Sequence, residues 1–106
     1  MRMWMVDPRR LCNQHLLGEH VELHMLVGSI RKKKTLAGFV DGGLVELHNI
    51  RQRHRELVVE MKRRGFHHAS PLPAFGTQRG GKIDRKQNLE ELKRRCADCR
   101  RHSVKS

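Results

Sequence analysis

From Cys12 to Ile30 the residues Cys12, Leu16, Leu23, Val27 and Ile30 fall on one side of a 3.6-residue period. That spacing asks for a helix with one buried stripe. Beside the stripe runs a polar strip of His15, Glu19 and Glu22, aligned because 15 to 19 is a four-residue step and 19 to 22 a three-residue step. Two carboxylates and an imidazole at the edge of a buried stripe lose part of their hydration. That is where titratable groups acquire useful pKa values. Amphipathic helices also carry Glu and His beside their cores for solubility, so the strip alone defines no site.

The same periodicity recurs twice. Asp7-Pro8 reads as a helix start, and the first helix is expected from Pro8 to Lys32, closed by the positive run Arg31-Lys32-Lys33-Lys34. A Gly-punctuated connection over Thr35–Gly43 leads to a second helix from Leu44 to Arg64. Its core positions are Leu47, Ile50, Leu57, Val58 and Met61, and Gly65 ends it. His54 lies inside that stripe and reads as a core histidine satisfied by one hydrogen bond. Arg51, Arg53, Arg55, Lys62, Arg63 and Arg64 occupy the other faces. Phe66–Gly81, with Pro71 and Pro73, reads as a surface loop; its adjacent His67 and His68 are expected to point apart. A third helix is expected over Asp84–Arg101, with Leu89, Leu92, Cys96 and Cys99 inward. The lead Met3–Val6 is apolar enough to be packed down. No period-two segment is long enough for a strand of consequence. These features predict one all-α domain over residues 1–106, a compact three-helix arrangement with long connecting loops.

Charge narrows the function. Lys and Arg number 23 against 11 acids, a net charge of +12 with eight His in reserve. A polyanionic partner follows, nucleic acid before an anionic membrane. No run approaches the length of a membrane span and no signal-peptide core is present. Three cysteines without such a signal fit reduced thiols and a cytoplasmic protein. One Trp, three Phe and no Tyr supply few stacking platforms for a single-strand binder.

Cys96-Ala-Asp-Cys99 with His102 has the spacing of half a zinc site, but a closed site needs four ligands and the remaining thiol, Cys12, is far off in sequence. On a helix the two cysteines also serve as small inward hydrophobes. The reading taken from sequence is therefore no metal and no cofactor. No phosphate-binding Gly loop, metalloprotease motif or nucleophilic Ser motif occurs. The chain's own α-amine is a nucleophile: with a pKa near 8, roughly a tenth or more is neutral at pH 7 and able to form a Schiff base with a sugar C1′.

At these residues the chain resembles the pyrimidine-dimer DNA glycosylases of the phage endonuclease V type. Arg2, Gln14-His15-Leu16, Glu19, Glu22-Leu23, Gly28 and Arg31-Lys32 stand in the family's first-helix pattern without a gap. Ile50-Arg51-Gln52-Arg53, Glu56 to Glu60 and Arg64-Gly65-Phe66 match its second helix. The resemblance implies an all-α enzyme of base-excision repair acting on damaged double-stranded DNA as a monomer. It implies a glycosylase that is also an abasic-site lyase. In that family the N-terminal amine attacks C1′ and a helix-one glutamate assists; carried over, these are Met1 and Glu22. Arg2 and His15 match positions used at the active site and DNA surface.

The sequence departs from the family at three points. Arg2 after Met1 disfavours trimming, so the amine is expected on Met1. Arginines flanking the family's glutamate are replaced by Val21 and Met25, and the aromatic C-terminal tail is missing. His20, His24 and the Arg31, Lys32, Lys33, Lys34 cluster are the expected replacements. With Arg2, His15, Glu19, Arg51 and Arg64 they make up the expected nucleic-acid surface. The alternative is a non-catalytic basic duplex-DNA-binding protein on the same scaffold.

Overall fold

Leu16, Leu23, Leu26 and Val27 lie fully buried along the first long helix, and Leu57, Ile50 and Met61 along the second. Each such side chain contributes about 1.5–3 kcal/mol by leaving water, so these two stripes set the architecture. The computed structural model describes residues 1–67, 70–76 and 78–104. Within them the regular structure is helical: α1 (Asn13–Arg31), α2 (Ala37–Asp41), α3 (Ile50–Arg63), α4 (Arg85–Arg95) and α5 (Ala97–Val104), with 3-10 turns at Pro8–Arg10 and Leu47–Asn49. α1 packs on α3 as the central pair, α5 folds back beside α4, and α5 also meets the Pro8–Arg10 turn. His68 lies outside the described residues.

The all-α expectation is met, but each of the three long helices is interrupted. The Asp7 side chain accepts from the Arg9 N–H and starts only a 3-10 turn. Leu11 and Cys12 are then extended, and α1 begins afresh with Cys12 as its N-cap, the Sγ accepting from the His15 N–H. Cys96, at φ −130° and ψ 111°, breaks the third helix in the same way. The second helix opens as the Leu47–Asn49 turn, and the connection before it holds the short α2. Gly65 ends α3 at φ +89°, as its sequence position requires.

The lead Met3–Val6 is buried, unlike most chain starts. It is threaded among elements from the rest of the chain. The Met3 N–H donates to the Leu44 carbonyl (2.8 Å), Asn88 Nδ2 donates to the Trp4 carbonyl (2.9 Å), and Arg53 Nη1 donates to the Val6 carbonyl (2.7 Å). Behind it the segment before α4 crosses under Glu46, whose carboxylate accepts from the Ile83 N–H (2.7 Å) and Asn49 Nδ2 (2.8 Å). Gly81 sits in that crossing at φ +94°, where a Cβ would lie 1.9 Å from the Val45 carbonyl oxygen. Only glycine fits there.

Candidate active site

Threading the lead under α1 and α4 brings the first two residues to the side of α1 that carries Glu22. A cleft of about 620 Å³ opens here, with Arg2, Trp4, His15, Val21, Glu22 and Arg95 in its walls. Met1 and Glu22 are each half-buried. Desolvation pushes the Glu22 carboxyl above the ordinary glutamate range. The Met1 ammonium, a hydrogen bond from the Arg2 backbone N–H and the Arg2 charge pull it back down, while neighbouring Glu19 adds to the upward push. The amine is thus near enough for its charge to act on the Glu22 carboxyl. A primary amine near a carboxyl of raised pKa is a combination suited to Schiff-base chemistry.

Arg2 is held rather than free. Its Nη2 donates to Asn88 Oδ1 (2.9 Å), it pairs with Glu91, and its guanidinium carbon stands 3.8 Å from the centre of the Trp4 ring. Trp4 in turn meets the His15 ring edge-on at 5.8 Å. Arg2 therefore fixes the cleft wall at the chain's first residues.

Several residues expected on the nucleic-acid surface are turned inward. Glu19 is 1 % exposed and accepts two hydrogen bonds from Arg53, from Nε (2.6 Å) and Nη2 (2.9 Å). Its four-residue step from His15 carries it past the edge of the stripe and onto the face opposite α3. Arg64 is spent in the same interior: it donates to Glu60 Oε2 (2.6 Å), the Leu11 carbonyl (2.7 Å), the Pro8 carbonyl (3.1 Å) and Asn13 Oδ1 (3.0 Å). It thereby ties the Pro8–Arg10 turn to α3. His20 and His24, one helical turn apart, face α3 and form a triad with His54, with ring centroids 4.8 to 5.4 Å apart. His24 Nε2 and His54 Nε2 both reach the Ser70 carbonyl, at 3.1 and 3.0 Å. His15 Nδ1 lies 3.2 Å from Cys12 Sγ and 3.4 Å from Cys99 Sγ.

Arg31, Lys32, Lys33, Lys34 and Arg51 remain exposed. Lys33 and Lys34 edge a hollow beside α2, and the Arg51 guanidinium stacks on Phe75 at 4.4 Å. These five are the cations of the expected set that face solvent. Sequence reasoning missed Arg53 as an internal partner and Asn88 as the clamp on the lead. Neither had a signal, since each is recognised only through a residue distant in the chain. The convergence of Cys12 and His15 on Cys96 and Cys99 was also missed, although both pairs have the same two-residue gap.

No curated protein and no solved structure matches the chain. The profile of the family described as pyrimidine dimer DNA glycosylase matches residues 1–74, which contain the lead, α1, α2 and α3. This all-helical chain, with its basic exterior and a cleft at its amino end, belongs to the pyrimidine dimer DNA glycosylase family.

Proposed function

We propose that the protein is a DNA glycosylase and abasic-site lyase for damaged duplex DNA, pyrimidine dimers first among its substrates, with Met1 as nucleophile and Glu22 as its acid–base partner. The observation that carries this reading is the half-buried Glu22 carboxyl in the wall of a cleft that Arg2 also lines, with the Met1 ammonium near enough to act on that carboxyl. The neutral amine attacks C1′ of the damaged nucleotide and the base departs with the electron pair of its glycosidic bond. A proton from the attacking nitrogen passes by way of Glu22 to O4′ as the C1′–O4′ bond opens, leaving the protonated Schiff base. Glu22, as carboxylate, steadies the positive charge that develops at C1′ and on the iminium. Loss of a C2′ proton then expels the 3′ phosphate by β-elimination. The exposed Arg31–Lys34 run and Arg51 hold the flanking phosphates, and opening a damaged pair costs less than opening a sound one.

Two assays test this. Ultraviolet-irradiated plasmid should be nicked, and borohydride should trap a covalent complex with duplex containing an abasic site. Acetylating the α-amine should abolish trapping. Glu22→Gln should slow nicking by about 100-fold or more, with the helical circular dichroism spectrum unchanged. Trapping that survives a blocked terminus removes Met1 from the mechanism. Salt-sensitive binding without nicking of any lesion leaves the non-catalytic duplex binder.

A further inference from the structure

Four metal-binding side chains meet where α1 starts and α4 gives way to α5. We propose that Cys12, His15, Cys96 and Cys99 form a closed, tetrahedral zinc site that staples the α4–α5 corner to the start of α1. Their four donor atoms lie within 4.8 Å of one another. The distance from Cys12 Sγ to Cys96 Sγ is 3.9 Å, and from His15 Nδ1 it is 3.2 Å to Cys12 Sγ and 3.4 Å to Cys99 Sγ. A tetrahedral zinc with Zn–S near 2.3 Å and Zn–N near 2.05 Å has edges of about 3.8 Å between sulfurs and about 3.6 Å between sulfur and nitrogen. These three edges lie within a few tenths of an ångström of those values, and the widest of the six, at no more than 4.8 Å, closes by about 1 Å to take the ion.

The local backbone is built for this set. The two halves, Cys12-Asn-Gln-His15 and Cys96-Ala-Asp-Cys99, repeat one design. In each, the first cysteine is extended at the head of a helix, and its sulfur accepts the N–H of the ligand three residues on (3.5 Å from His15, 3.4 Å from Cys99). The Cys12 N–H adds a third such bond, to Cys99 Sγ at 3.3 Å. N–H donors aimed at sulfur favour thiolate, the form that binds metal. Cys12 and Cys99 are buried and His15 and Cys96 half-buried, so no fifth group or water is needed to complete the shell.

Charge balances as well. Binding expels three thiol protons, and the dication with three thiolates and a neutral imidazole carries one net negative charge. Arg95, beside His15 in the cleft wall, and Arg101, beside Cys12, offset it. With all four positions held by protein the ion has no open site, and its role is to brace the fold. His15, rather than His102, completes the set, and the expectation of no metal is revised accordingly. Two ligands lie inside the segment matched by the family profile and two beyond it.

The test uses the reduced full-length protein. With equimolar Zn(II), native mass spectrometry should find one ion per chain, removable by chelator, and the thermal midpoint should rise. Co(II) in its place should give the thiolate charge-transfer band and the strong visible bands of a tetrahedral centre. Cys96→Ser, at a half-exposed position, should weaken zinc by more than about 100-fold, beyond the loss of an outer-shell partner, while His54→Gln leaves it unchanged. A reduced wild type that takes up no zinc overturns the site. So does a cobalt spectrum without thiolate bands, or a metal lost with His54→Gln and kept in Cys96→Ser, which would assign it to the histidine triad.

Discussion

Arg53 is a guanidinium with no solvent to turn to. At 2 % exposure it must place its donors on protein, and Glu19 and the Val6 carbonyl receive them. Removing one member of a buried pair strands the other's charge, which costs about 3–5 kcal/mol. Glu19→Gln should therefore lower stability by that amount in urea unfolding. The double change Glu19→Leu with Arg53→Met should recover much of it. A single-variant loss under about 1 kcal/mol would mean that the pair is solvated. The sequence set Glu19 on the polar edge of α1 and on the nucleic-acid surface, whereas it is buried against Arg53; the partner that holds it there is 34 positions away. Glu22 was legible as a candidate for the opposite reason: the cleft it lines is made by its own helix and by Arg2 and Trp4, and family likeness supplied the register.

At the scale of elements, the stripes on α1 and α3 were legible because burial repeats with the helical period. The breaks at Cys12 and Cys96 were not. Cysteine is not among the usual N-cap residues, and both breaks follow from sulfurs meeting across the fold. The packing of α1 against α3 also sets a pH response. Burial holds the His54 pKa below its ordinary 6.5, and the charge of His24 adds to that, while the Ser70 carbonyl pulls it partway back. His20 completes the set of groups facing it. A depressed pKa means the fold keeps the neutral ring. Stability from this source is whole above pH 6.5 and is lost as the pH falls through the folded value. Thermal midpoints should therefore drop from pH 6.5 toward about pH 5, at up to about 1.4 kcal/mol per pH unit for a one-proton difference. His54→Gln should flatten the slope in this window; an unchanged slope would show that His54 is not its source.

For the whole molecule, a net charge of +12 was readable at once, but which cations face outward was not. Arg53 and Arg64 serve the interior and Arg2 is clamped, whereas the Arg31–Lys34 run and Arg51 are exposed and are the cations proposed to meet phosphates. Duplex affinity should fall linearly on a log–log plot against salt, by about 0.9 per neutralised phosphate. Replacing Lys33 and Lys34 by Gln should reduce that slope by about 1 for each phosphate no longer neutralised, equally on sound and damaged duplex. A preserved slope would move the phosphate track elsewhere. Titration in filter binding at several salt concentrations reads it directly.

The buried lead also fixes an order of events during synthesis. Trp4 leaves the ribosome long before Asn88, 84 positions later, and Val6 long before Arg53, 47 positions later. At about 5–20 residues per second the wait for Asn88 lasts several seconds. Until then the greasy first residues have no latch and the cleft lacks a wall. A nascent chain halted short of α4 is thus both sticky and unfinished, and the first residues gain their Asn88 latch only once the last third of the polypeptide is being made.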